Sequence, residues 1–107
     1  MGNNLPKSAN KKSALLPYRF IEKLKKLSFI KSIYLFGSRA RGDQSKTSDI
    51  DLAIDCPTAG EKDWLQIMDV IEDADTLLKI DCVRLEQANT RLKENIYREG
   101  VKLYERR

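Results

Sequence analysis

Two short apolar segments, Ser32-Ile33-Tyr34-Leu35-Phe36 and Leu52-Ala53-Ile54, bracket the turn Gly37-Ser38-Arg39-Ala40-Arg41-Gly42 and the acidic pair Asp49-Ile50-Asp51. This arrangement constrains the fold most. Ile30 to Phe36 is short, rich in β-branched and aromatic residues and stops at a glycine, so it reads as a strand. The second alternates acidic and apolar residues from Asp49 to Asp55 and reads as another strand, ended by Pro57. A turn able to hold phosphate and a pair of carboxylates able to hold a divalent cation then lie a few residues apart.

The remaining elements follow from periodicity. Leu16, Phe20, Ile21, Leu24 and Leu27 recur at helical spacing and predict a helix over about Ala14 to Leu27, with Pro17 in its first turn. Asp43 to Ser48 is polar and loop-like. Thr58 and Glu61 have capping-box spacing, ahead of a helical stripe of Trp64, Ile67, Met68, Ile71, Ala74 and Leu78. Lys79 to Val83 is a third strand candidate. A last helix is expected from about Gln87 to Tyr104, with Ala88, Leu92, Ile96 and Tyr97 inward and Gly100 an uncomfortable residue inside it. The order α-β-(short α)-β-α-β-α predicts an α/β (α+β) domain, a small sheet covered by helices.

Length and composition bound the function. The 107 residues make one small domain over 13–107, after a polar tail from Met1 to Lys12 that is expected to be flexible. The net charge of +4 resides mostly in that tail, through Lys7, Lys11 and Lys12. The rest carries 17 basic and 16 acidic residues, a balance unlike that of a nucleic-acid reader. No apolar run has the length of a membrane span, and the first residues lack the apolar core of a signal peptide. The expected setting is cytoplasmic, with Cys56 and Cys82 reduced. Histidine is absent, which excludes Ser-His-Asp and Cys-His chemistry and histidine-bound metals. Acid–base work falls to carboxylates, and any metal must accept oxygen ligands.

Within a strand, residues i and i+2 share a face, so Asp49 and Asp51 project together while Ile50 and Leu52 face the core. Side-by-side carboxylates repel unless a cation lies between them or one is protonated. Taken alone, Asp-x-Asp is a weak signal, commonly a solvated pair. The Gly-Ser turn just before it strengthens the reading. Gly37 permits positive φ and close approach of a ligand, and Ser38 offers a hydroxyl and an amide. The free N–H groups of a short helical turn over Ser38 to Arg41 would face an anion, with Arg39 and Arg41 adding guanidinium groups suited to phosphate. The spacing Gly-x4-Gly approaches that of a P-loop, but Asp43 stands where the lysine would be, which disfavours a Walker-type ATPase. Asp81 lies mid-strand in an otherwise apolar run and completes a three-carboxylate set if its strand neighbours the second.

Gly37-Ser38, ten intervening residues and Asp49-Ile50-Asp51, together with Ala40-Arg41-Gly42 and Ser48, resemble the DNA polymerase β-like nucleotidyltransferases, and among them the minimal (MNT or MntA-like) group. The resemblance spans about Ile33 to Val83. It implies a small mixed sheet with flanking helices. It also implies a triad of Asp49, Asp51 and Asp81 holding two Mg²⁺ ions, with Asp81 helping to deprotonate the nucleophile. Gly37 and Ser38 would bind the β and γ phosphates of ATP, and Arg41 and Arg39 would offset developing charge. Minimal members often accompany a HEPN-domain protein in a toxin–antitoxin module and transfer AMP from ATP to a tyrosine of the toxin. That is the activity the resemblance implies here, with a HEPN-domain partner supplying the acceptor. The competing reading is a nucleotide-binding protein that inhibits such a partner by occlusion. Pairing with a second copy of the chain is compatible with either.

Overall fold

The structure, a computed structural model, describes residues 18–107. The expected tail Met1 to Lys12, and the start of the first helix with Leu16 and Pro17, lie outside the described residues. Helix α1 (Arg19–Lys25) leads to strand β1 (Ser32–Phe36), the short helix α2 (Ser38–Arg41) and strand β2 (Ile50–Asp55). Helix α3 (Glu61–Glu72), strand β3 (Ile80–Arg84), a 3-10 turn (Leu85–Gln87), helix α4 (Thr90–Glu99) and strand β4 (Val101–Glu105) follow. The sheet has the order β3-β2-β1-β4. β1 runs antiparallel to β2 and β4, while β2 and β3 are parallel, joined across α3. The sheet is therefore mixed and flanked by helices, as expected.

Alternation along the strands sends side chains to two separate cores. Ile33, Leu35, Ile50, Leu52 and Ile54 are buried on one face against Phe20, Ile21 and Leu24 of α1 and Ile67 of α3. On the other face Ala53 is buried with Leu85 and Ile96, and Tyr34, Phe36, Val83 and Leu92 pack around them under α4. Both faces are thus covered where α4 lies. One pleat nearer the α2 end, the second face carries Asp51 and Asp81 in place of Ala53 and Val83.

Two expectations need correction at the C-terminal end and two at α3. The last helix stops at Glu99, and residues 101–105 form a fourth strand. Gly100 is the reason. Its backbone is extended (φ −75°, ψ 162°), and a Cβ there would collide with the carbonyl of Ile96 and lie 3.2 Å from that of Leu35. The chain can turn off the helix and onto β1 only where no side chain intervenes. Tyr97 is not inward but 61% exposed, with its ring edge-on to Tyr34 at 5.8 Å. The cap at the start of α3 is at Gly60 rather than Thr58, and it is half of a capping box: Gly60 N donates to Asp63 Oδ2 at 2.9 Å, and glycine has no side chain to return the bond. Helix α3 also ends at Glu72, so Ala74 and Leu78 pack on the core from the following loop.

Past β4, Arg106 fastens the C-terminus to the α1–β1 connection. Its N–H donates to Lys31 O at 2.7 Å, and its guanidinium reaches the carbonyls of Ile30, Lys25 and Leu27. Among the described residues no helix is long and apolar enough to cross a membrane. Cys56 and Cys82 form no disulfide with each other, and burial pushes their thiols up to about 11 and about 12, which makes them poor nucleophiles.

Candidate active site

The turn after β1 is built on a glycine that no other residue can replace. Gly37 has φ 75° and ψ −155°, a region open essentially to glycine alone. A Cβ at this position would also run into Oδ2 of Asp51. The backbone of the turn therefore lies directly against the acid. Ala40, 1% exposed, pegs α2 into the core, and Gly42, at φ 84°, closes it with its N–H on Ser38 O at 2.9 Å. The amides of Ala40 and Arg41 both donate to Gly37 O at 3.1 Å. Among the described residues, the amides of Ser38 and Arg39 at the head of the turn have no backbone acceptor.

The acids meet through the parallel pairing of β2 and β3. Asp51 and Asp81 are register partners, so their side chains leave the same face of adjacent strands. Asp49 lies one residue before β2, half-buried. Burial lifts the Asp51 carboxyl above its ordinary value; the charges of Asp81 and Asp49 and a hydrogen bond with Asp81 lift it further, and Arg41 opposes them. Asp49 and Asp81 are thus both near enough for their charges to reach Asp51. Across the other edge of β2, Asp51 faces Phe36, the residue before Gly37. The backbone bond from Ile50 N to Lys79 O, 2.9 Å, locks the starts of β2 and β3 together.

The two arginines of the turn diverge. Arg39 is half-buried, and its Nε and Nη2 donate to the carbonyl of Ser48 at 3.2 and 2.9 Å. Arg41 is exposed, with Nε 3.3 Å from Asp43 Oδ2. Pattern reading passed over Lys79, whose Nζ lies 3.6 Å from Asp81 Oδ1. Its signal was a cation two residues before a strand acid, which by alternation shares its face. Asp55, which shares the parity of Asp49 and Asp51 but ends the strand, lies with Glu86 at the far end of β2. Burial, then a bond with Glu86 and its charge, lift the Asp55 carboxyl to about 6, while Arg84 is 3.4 Å from Glu86. A groove of about 400 Å³ runs along the outer side of β3, lined by Trp64, Arg84, Gln87, Asn89 and Leu92, apart from the acids.

This donor set suits a hard cation. Among the described residues no three side chains close into a finished metal cage. Mg²⁺ does not require one: it takes one or two carboxylates and fills its shell with water and substrate phosphates. Asp51 and Asp81 are partly open to solvent and repel each other, so a cation between them relieves a strain the fold imposes.

Comparison with known proteins bears on the family and the fold. A family model described as polymerase beta, nucleotidyltransferase, matches residues 19–107. No curated protein matches the chain. Among solved structures, a toxin–antitoxin crystallised with AMP-PNP is 29% identical at a TM-score of 0.61, over 83% of this chain and 73% of that one. A mutant of the toxin–antitoxin MntA–HpeT is 26% identical at a TM-score of 0.56, over 97% and 76%. The complex of tri-AMPylated Shewanella oneidensis HEPN toxin with MNT antitoxin, at 20% identity and a TM-score of 0.57 over 92% and 73%, shares the fold. Several of its structural neighbours come from toxin–antitoxin complexes, and the chain belongs to the polymerase β nucleotidyltransferase family.

Proposed function

We propose that the chain is a Mg²⁺-dependent adenylyltransferase that moves AMP from ATP onto a tyrosine of a HEPN-domain toxin and so acts as its antitoxin in the cytoplasm. The observation that carries this reading is the in-register pair of Asp51 and Asp81, with Asp49 beside it, directly against the Gly37–Ser38 turn. Two similarities support it: the neighbour crystallised with AMP-PNP and the neighbour solved with an AMPylated HEPN toxin.

In this reading the tyrosine oxygen attacks the α-phosphorus of ATP. A bond from that oxygen to phosphorus forms, the bond from the α-phosphorus to the bridging oxygen breaks, and pyrophosphate leaves. When bound, two Mg²⁺ ions supply positive charge at the entering and leaving oxygens. Asp49 and Asp51 would hold both ions and Asp81 one. Asp81 also takes the phenolic proton, which suits its 44% exposed side chain at the open end of the face. Ser38, with the amides at the head of α2, binds the β and γ phosphates. Arg41, exposed and close enough to act on Asp51, offsets the charge that develops as pyrophosphate departs.

The test is incubation with the cognate HEPN-domain protein, α-labelled ATP and Mg²⁺. Label should appear on the partner and vanish with Asp49→Asn or Asp51→Asn. If those variants neutralise the partner fully, and no label is transferred by the unaltered chain, occlusion replaces catalysis.

A further inference from the structure

By residue type Arg39 is a phosphate ligand; its geometry assigns it elsewhere. Both donors on the Nε–Nη2 edge, the edge that grips a phosphate at two points, are spent on one oxygen, the carbonyl of Ser48. That carbonyl belongs to the peptide whose nitrogen is Asp49's. Ser48 is also where the polar loop closes on itself. Its hydroxyl accepts the Ser45 N–H at 2.8 Å and lies 3.2 Å from the Ser45 hydroxyl, and its own N–H donates to Ser45 O at 3.3 Å. The end of the loop from Asp43 to Ser48 is therefore closed on Ser48. Arg39 ties that point to α2, which Ala40 and the bonds from Gly42 and Asp43 to Ser38 O hold in place.

We propose that Arg39 is a positioning residue: it clamps the Ser48–Asp49 peptide, so setting Asp49 beside Asp51, and leaves phosphate contact to Arg41. Asp49 precedes the first residue of β2 and lacks the strand pairing that fixes Asp51. A tether from outside the sheet supplies what the register does not. A guanidinium suits this task because two N–H groups in one rigid plane converge on a single oxygen; an ammonium offers a hydrated point charge instead. What Asp49 does once positioned rests on the proposed transfer reaction, whereas the clamp is a property of the fold alone.

The test compares Arg39→Met and Arg41→Met in the full chain, with Arg39→Lys as a milder variant. Amide hydrogen exchange is first read without metal or nucleotide. Arg39→Met should accelerate exchange over residues 43–50 by about tenfold, the size of losing a charged donor, with β1 and β4 unchanged. Arg39→Lys should fall between, and Arg41→Met should match the unaltered chain. ATP affinity is then read by calorimetry in EDTA, and Mn²⁺ affinity by electron paramagnetic resonance. Arg39→Met should keep the ATP affinity and weaken Mn²⁺ binding several-fold, whereas Arg41→Met should weaken ATP. Unchanged exchange in Arg39→Met and Arg39→Lys, or a loss of ATP affinity as large as that in Arg41→Met, overturns the proposal. If the unaltered chain binds neither ATP nor Mn²⁺, the transferase reading fails, and the exchange result alone still decides the clamp.

Discussion

Removing a charge from the acidic face should make the metal-free protein more stable, and Asp51→Asn isolates the effect. Asp51 and Asp81 are register partners on parallel strands, which lie about 4.8 Å apart. Like charges at about 5–6 Å repel by about 1 kcal/mol in water-like surroundings and about 3 kcal/mol at the effective dielectric of a protein surface. The Asp81 side chain is 44% exposed, so screening keeps the figure near 1 kcal/mol. Asparagine has the same shape and removes this repulsion. For a domain of this size the gain corresponds to a rise in Tm of about 5 °C. The pH dependence has a definite sign. An acid whose carboxyl is raised in the fold, as Asp51's is, contributes stability below its unfolded value. That contribution is lost as pH rises through the folded value. Scanning calorimetry in EDTA at low salt should show the higher Tm for Asp51→Asn, and 1 M NaCl should shrink the difference. Mg²⁺ should raise the Tm of the unaltered chain and have little effect on the variant. An equal or lower Tm for Asp51→Asn at pH 7.5 refutes the picture of acids held together against their repulsion.

The remaining predictions concern the turn, the third acid and the far end of β2. Gly37→Ala should cost about 2 kcal/mol or more, from disallowed backbone and collision with Asp51; urea denaturation measures it, and an unchanged midpoint contradicts the close approach. Asp81→Asn should keep the fold by circular dichroism while AMP transfer falls by about a hundredfold or more; undiminished transfer removes Asp81 from the triad. Ser38→Ala should weaken ATP binding several-fold with little change in Tm, and calorimetry showing equal affinity excludes the hydroxyl as a phosphate ligand. Asp55, lifted to about 6 by burial and by Glu86, contributes stability below its unfolded value that disappears as pH rises through about 6. In Asp55→Asn the corresponding slope of unfolding free energy between pH 4 and 6 should flatten, and a slope that persists assigns it to another group.

Local patterns carried most of the fold. The strands at Ser32–Phe36, Ile50–Asp55 and Ile80–Arg84 were legible because alternation reports burial within a few residues. The fourth strand was not: Val101 to Glu105 continues a helical register in sequence, and only the approach of Gly100 to the Leu35 carbonyl shows why the helix must stop. Tyr97 was misplaced for the same reason, since the direction of α4 depends on where β4 anchors it.

The sequence by itself determined the chemistry available: no histidine, a glycine–serine turn, and acids at strand spacing, all properties of residue type and short-range geometry. Tertiary structure decided which groups meet. Asp81 stands beside Asp51 because β2 and β3 pair in parallel with those two residues in register, a choice made by burying Ile50, Leu52 and Ile54 on one face and Ala53 on the other. It also decided the direction of each arginine. Arg39 and Arg41 are equal in sequence chemistry, but a helical turn sends residues two apart to different sides, one onto the Ser48 carbonyl and the other into solvent near the acids.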